Sequence, residues 1–388
     1  MLVSSAVAVL SLAVGAPSAL AVAPPPPAMT DLGTLPGGTT SKAWAINNGG
    51  QVAGDATTAS GQTHAFLWTN GKMADLGTLP GGTFSQARAI NSAGQVAGSS
   101  FTIVDGHTQD HAFIWTNGKM TDLGTLPGGR YSGGYSINDA GEVTGDAYTA
   151  AVKYHAFLWS RGTMTDLGTL PGGSTSTPYY PQNTSLNSHG DVVGYADTPT
   201  STRRAFLWSR GTMIDLDTPA GFNTSFAVAI NNRGQVVGEA DNDAGTMFLP
   251  MLWTRNTMTV LGTLPGGESQ GASASDINEQ GQATGVSATA TSYDAVLWTK
   301  SSIVDLGVLP GGTFSQGQFL NDAAQVTGAG DVAGGDNHTF RWSHGTMDDL
   351  GTLGGSYSYP VGISNRGQVA GVSTTASGQE HAFITAVR

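Results

Sequence analysis

The chain has no cysteine, which removes disulfides, thiol nucleophiles and Cys-ligated metal sites together. Charge is scarce as well: Asp, Glu, Lys and Arg make up 11% of the residues, against about a quarter in ordinary soluble domains. The 16 Lys and Arg are mostly scattered singly among 28 Asp and Glu, for a net charge of −12. Without a basic stripe there is nothing to hold a nucleic-acid backbone, and that class of partner is excluded. Long Ala/Glu/Lys/Leu/Arg stretches are missing, which argues against a helix bundle or coiled coil. Beyond the N-terminus no apolar run reaches the length of a membrane span. Glycine takes up the room, 56 residues of 388, about twice average usage, while Ser, Thr, Asn and Gln carry the polarity. This is the composition of a turn-rich β protein.

Residues 2–23 are small and apolar, and Ala19-Leu20-Ala21 reads as a small-x-small cleavage site. Gly15, Pro17 and the run Pro24–Pro27 break the stretch before it could span a bilayer. We read residues 1–21 as a secretory signal, 22–28 as a proline-rich linker, and the rest as an extracellular or periplasmic chain without a membrane span. No Lys or Arg precedes Lys42, so the usual positive n-region is absent, and either the signal is atypical or the true start lies upstream.

A length of 388 residues ordinarily suggests two or three domains, but the phrase DLGTLPGG or a variant begins at Asp31, Asp75, Asp122, Asp166, Asp215, Val260, Asp305 and Asp349. The steps between them are 44, 47, 44, 49, 45, 45 and 44 residues. Each of the eight units holds four short segments, patterned on MTDLG, SxAxAIN, GQVAG and HAFLW. All are too short for stable helices, and their β-branched and aromatic content between Gly and Asn clusters is a strand signal. An N-x-x-G turn, as at Asn47 to Gly50, joins the second segment to the third; its Asn can bond the turn backbone and its Gly supplies a left-handed conformation. Unit seven has Ala324 in that glycine's place, which marks it as the strained exception. A glycine such as Gly54 or Gly145 closes the third segment in every unit, where a side chain would block close backbone packing.

Units of this length with four strands match propeller blades. The expected fold is all-β: an eight-bladed propeller over residues 29–388, with the blade order SxAxAIN, GQVAG, HAFLW, MTDLG from channel to rim. Because the chain begins on a first-type strand and ends on a fourth-type strand, the two should pair and close the ring. The second and fourth connections are of near-constant length; the first and third vary and share one face. That face is where loops on a rigid scaffold carry binding.

Taken together, HAFLW, DLGTLPGG and INxxGQVAG resemble the bacterial extracellular HAF repeat family, whose His-Ala-Phe triplet stands at His64, His111, His155 and His381. The resemblance runs over residues 29–388 and implies export and a propeller-like array. It implies no activity and supplies no site residues. The His position becomes Arg204, Leu249 and Asp294 in units four to six, and Asp becomes Val260 in unit six.

The His position invites a metal-ring reading, but equivalent residues a third strand out from the channel do not converge on one ion, so a structural His bonding a loop is the simpler reading. The repeated Asp likewise reads as a turn residue. The HAFLW tryptophans read as core packing between blades. The aromatics that follow PGG are the candidate ligand-binding residues: Phe84, Tyr131, Phe314 and Tyr357, with Tyr179 and Tyr180 in the unit-four insertion. Asp241 and Asp243 resemble the opening of a calcium loop without its remaining ligands. Gly267-Glu268-Ser269-Gln270-Gly271 fits a nucleophile-elbow pattern, yet no helix follows it. The function expected is a non-catalytic, monomeric scaffold that needs no cofactor and binds a glycan, peptide or surface protein through its loop-rich face. Two alternatives stand beside it: a polysaccharide-acting enzyme using Asp105, Asp197, Asp241 or Asp331, and a purely structural surface protein.

Overall fold

The computed structural model of the protein describes residues 28–179, 184–242, 244–255 and 257–387. The leader and all but the last residue of the proline-rich run lie outside them. Every regular element among the described residues is a strand, and none is a helix long and apolar enough to cross a membrane.

Blade 1 shows how the repeat becomes structure. Its inner strand, Ser41–Ile46, alternates buried and half-buried residues and packs toward both neighbouring blades, Ala43 and Ile46 in the cluster shared with blade 8 and Ala45 in the one shared with blade 2. The second strand, Val52–Thr57, is buried along nearly its whole length, covered by neighbouring blades on both faces. The third, Thr63–Thr69, buries Ala65, Phe66 and Leu67. The outer strand, Lys72–Asp75, is mostly exposed at the rim. All three pairings are antiparallel, and the PGG loop then crosses to the inner strand of blade 2. The expected order from channel to rim is therefore the observed one.

Six blades form separate four-stranded sheets, while blades 7 and 8 are joined into one larger sheet by a single parallel bridge, Asn337 to Tyr357. Blade 8 is assembled from both ends of the fold: Met29–Asp31 pairs with Glu380–Thr385, Met29 opposite Thr385. The eight-bladed ring is closed by its terminal strands, as expected. Blade 4 departs most from the pattern, its inner strand reduced to Ser176–Pro178 before the chain returns at the Leu186–Val192 bridge.

The core is distributed between the blades. One cluster joins Ala53, Ala65 and Leu67 of blade 1 to Ala87, Val96 and Phe113 of blade 2, with Leu76 and Leu79 of the crossing loop. The second leucine of DLGTL is a plug, Leu35 at 2% and Leu79 at 1% exposure, each contributing about 1.5–3 kcal/mol by burial. Trp253 and Trp298 are fully buried, and Trp68, Trp115 and Trp159 pack partly buried against the clusters.

Two polar devices fasten the blades. The Asn of each N-x-x-G turn accepts two backbone N–H groups of its own turn, as Asn47 does from Gly49 and Gln51 at 3.0 Å each. Its side-chain amide then donates to the backbone carbonyl of the same Asn in the next blade, at 3.0 Å from Asn47 to Asn91. The chain of donations runs Asn91 to Asn138, Asn187, Asn231, Asn278, Asn321 and finally Ser364. Separately, the inner-strand serine bridges blades: Ser85 donates to the Gly77 carbonyl at 2.5 Å and accepts the Ala65 amide at 2.8 Å. Ser41 makes the corresponding link to the Ala382 amide at 2.9 Å, across the closure. Ala324 holds the left-handed conformation expected of it, at φ 59°.

Candidate functional site

The third-strand His does not face the channel. Its Nδ1 meets the outer-strand Asp of the same blade at 2.8–3.0 Å: His64 with Asp75, His111 with Asp122, His155 with Asp166, His338 with Asp349 and His381 with Asp31. The Asp in turn accepts the amide two residues on, as Asp75 does from Gly77 at 2.7 Å. The structural reading of both residues holds, and units four and five fall into line because the two positions belong to one blade, whereas blade 6 sets Asp294 beside Asp305, whose charge raises the Asp294 carboxyl after burial does. Blade 4 replaces the pair with Arg204 and Asp215 at 3.2 Å, and blade 5 drops both charges, with Leu249 and Val260. Among the described residues no group of three or more metal-ligating side chains is placed to hold an ion.

In blade 3 the Asp166 hydrogen bond, against an opposing effect of burial, raises His155 above its ordinary 6.5. Burial works to raise Asp166, but hydrogen bonds from His155 and Gly168 outweigh it and hold the carboxyl below 3.8. A raised His stabilises fully below its unfolded value and loses that as pH climbs through the folded value; a lowered Asp stabilises above its unfolded value and loses that as pH falls. The pair is therefore strongest between 3.8 and 6.5. His155→Gln should lower the melting temperature more at about pH 5.5 than at about pH 9; equal losses at both would show that the ion pair contributes nothing.

The post-PGG aromatics are spread round the ring. Their backbones form parallel bridges to the preceding blade, Phe84 with Thr63, Tyr131 with Asp110 and Phe314 with Tyr293. Phe84 packs on Phe101 at 4.9 Å. Tyr357 stacks on Tyr359 at 5.2 Å and donates to Glu380, itself paired with Lys42 at 2.6 Å. Tyr131 and Tyr179 flank blades 3 and 4; Tyr180 and Asp243 lie outside the described residues. The four acids proposed for an enzyme sit in four different blades. Asp105 is at a hairpin tip with φ 50°. Asp197 and Asp331 each lock a crossing loop, Asp197 by accepting the Ser174 and Thr175 amides at 2.6 Å and Asp331 the Thr313 and Phe314 amides at 2.8 and 2.6 Å. Ser269 lies in a turn followed by the strand Ala272–Ile277, so no nucleophile elbow forms.

Between blades 3 and 4, on the loop-rich face, is a cleft of about 510 Å³ lined by Tyr135, Asp146, Tyr154, Thr177, Tyr195 and Arg203. Asp146 is buried at 7% exposure and accepts the Tyr135 hydroxyl at 2.8 Å and the Thr177 hydroxyl at 3.1 Å. Burial raises its carboxyl against those hydrogen bonds. Burial first, then the Asp146 charge, pushes the Tyr135 phenol far up, so it remains a donor. Tyr154, 40% exposed, accepts the Tyr148 hydroxyl at 2.9 Å; that bond and burial push its phenol up to about 12. Arg203 lies over the Tyr195 ring, 5.3 Å from its centre. Tyr131 packs against Tyr154 at 5.7 Å and Tyr179 against Tyr195 at 6.4 Å; neither lines the cleft, and both support rings that do. Sequence reading missed the lining residues. They stand where units three and four depart from the repeat, and subtracting the shared phrase from each unit would have exposed them.

At the opposite, tight-turn end the channel holds a cavity of about 350 Å³ ringed by Asp139, Asn232, Glu279, Asp322 and Asn365. Asp276, where units one, two and five carry Ala45, Ala89 and Ala229, is buried beside it and accepts the Leu320 and Ile277 amides at 2.9 Å. Burial, only partly offset by those amides, raises it to about 7.

No protein-family model matches the chain, and no curated protein matches it. Several solved structures are similar in fold. Dipeptidyl peptidase 4 of Porphyromonas gingivalis aligns at TM-score 0.56 and 8% identity over 92% of this chain and 58% of its own. The Dos1 propeller aligns at 0.52 and 9% identity over 93% of this chain and 95% of its own. A prolyl endopeptidase aligns at 0.52 and 13% identity over 90% of this chain and 55% of its own. The chain thus spans little more than half the length of the two peptidases, and at these identities the likeness is one of fold.

Proposed function

We propose that this protein is an exported, non-catalytic member of the HAF repeat group that binds a glycan in the cleft between blades 3 and 4. The observation that carries this reading is the cleft's make-up: the exposed Tyr154 beside the half-buried Tyr135 and Tyr195, a buried carboxylate already engaged by hydroxyl groups, and an arginine over an aromatic ring. Sugar C–H faces stack on such rings, and sugar hydroxyls find donors in Arg203 and Tyr154 and an acceptor in Asp146. A volume of about 510 Å³ suits a short stretch of a polysaccharide rather than a folded partner. Export rests on the leader at residues 1–21, and group membership on the three repeated phrases.

Screening the purified protein on a glycan array, followed by titration of the best ligand, tests the site. Tyr154→Ala and Arg203→Ala should each weaken binding about tenfold, while Tyr359→Ala, at an exposed tyrosine of blade 8, should leave it unchanged. Equal affinity of all three variants would discard the cleft, and an array without any hit would discard a glycan as the ligand.

A further inference from the structure

Blade 6 departs from the repeat in a way that makes room. Where Phe84, Tyr131, Phe314 and Tyr357 stand in other units, it carries Gly271, followed by Ala272 in place of the usual Ser. Gly271 still makes the parallel bridge to the preceding blade, through Phe248. Its φ is +90°, and an added Cβ would lie 1.8 Å from the Phe248 carbonyl oxygen, so no side chain can fill the place. The missing ring leaves a pocket of about 360 Å³ on the loop-rich face, walled by Phe248, Tyr293 and Phe314 and reached from below by Glu239 and Ser273.

Glu239 is the unusual member. It sits on the second strand of blade 5, Val236–Asp241, opposite Phe226 and Pro250. Ser273 bonds its carboxylate, and among the described residues no ion pair reaches it. Burial raises its carboxyl, with the Ser273 bond acting the other way. Asp241, two residues along the same strand, is raised to about 6 by burial and then by the Glu239 charge. The pocket therefore holds, against three aromatic rings, a buried carboxyl with no counter-ion among the described residues, which burial drives toward its neutral form. A bound cation would restore its charge, and a neutral sugar would find little to bond. A cation with an apolar body satisfies both features, because it offsets the buried carboxylate and its charge lies against ring faces.

We propose that this pocket between blades 5 and 6 is a binding site for a small organic ammonium, a primary amine or methylated amine carried on an apolar group, held by Glu239 and enclosed by Phe248, Tyr293 and Phe314. It is independent of the cleft between blades 3 and 4 and of the ligand proposed there.

Titration calorimetry of the purified protein with benzylamine, benzyltrimethylammonium and the neutral benzyl alcohol tests it directly. Both cations should bind, and the alcohol about tenfold more weakly or not at all. Glu239→Gln should cost the cations at least about tenfold without lowering the melting temperature, since it removes a buried charge that lacks a counter-ion. Tyr293→Ala, at a ring 41% exposed and so dispensable for folding, should weaken the cations about threefold to tenfold. Equal binding of amine and alcohol, unchanged cation affinity in the Gln variant, or no cation binding at all would each overturn the proposal.

Discussion

Replacing Gly145 with alanine is expected to destabilise the propeller by about 3–4 kcal/mol and to lower its melting temperature by several degrees. The cost does not come from backbone conformation, since Gly145 is absent from the residues with positive φ. On conformational entropy alone, alanine at such a position should gain about 0.4–1 kcal/mol. Contact decides the sign. A Cβ at Gly145 would lie 1.7 Å from the Gly133 carbonyl oxygen and 3.1 Å from the Gly134 Cα, and backbone cannot rotate out of the way. The inner strand comes so close because it carries a bulge, the register shifting between Gly134 and Ser136, which tilts a carbonyl toward the partner strand. The same close approach recurs in every blade, with a Cβ at Gly54, Gly98, Gly238 and Gly328 each 1.9 Å from a carbonyl oxygen. Gly168→Ala is the control. That residue has φ +72° and nothing within 4 Å of its Cβ, so it should cost only about 1 kcal/mol, the left-handed conformation itself. Thermal or urea melts of the two variants would separate these causes, and equal losses would refute the contact argument.

The bulge also explains which parts of the protein could be read from sequence. Strand identity, blade order and closure were legible because they rest on spacing: constant hairpins, glycine at fixed offsets, and a first-type strand at one end with a fourth-type strand at the other. Side-chain direction rests on phase, and a bulge shifts the phase by one residue without leaving a mark in the pattern. Tyr131 is singled out by following PGG, yet that position makes a backbone bridge between blades, and Tyr179 by its place in the unit-four insertion; the rings that line the cleft are Tyr135, Tyr154 and Tyr195. Inter-blade polar links were illegible for a different reason. The Asn of INxxG is fully explained by its own turn, so nothing in one unit reveals that its amide reaches a carbonyl 44 residues on, as Asn47 reaches Asn91. Units five and six show the converse: Glu239 of one and Gly271 of the other break the repeat and look like decay, whereas together they shape a pocket.

Removing the strand Met29–Asp31 should destabilise the protein by about 3–5 kcal/mol and render it prone to self-association. The deletion takes away the pairing of Met29, Thr30 and Asp31 with Thr385, Ile384 and Phe383. It also takes the Asp31–His381 contact at 2.8 Å and the chain directly ahead of Leu32, whose amide bonds the Ala382 carbonyl at 2.9 Å. Glu380–Thr385 would become a bare edge carrying Phe383 and Ile384, a template for another chain. The inner part of the seam cannot compensate, because the Asn belt is interrupted there. Ser364 has no side-chain amide to donate to the Asn47 carbonyl, which among the described residues accepts only the Gly50 amide at 3.0 Å, and the gap is spanned by the Asn365 backbone amide on the Asn48 Oδ1 at 2.7 Å. Ser364→Asn should therefore act in the opposite direction, completing the belt and adding about 1 kcal/mol. In a closed ring each blade leans on two neighbours, so opening one seam weakens every interface rather than one. Melting curves with sedimentation analysis of both variants decide the matter: a truncated chain that stays monomeric and melts with the intact protein would mean that the terminal strands decorate the ring and do not hold it shut.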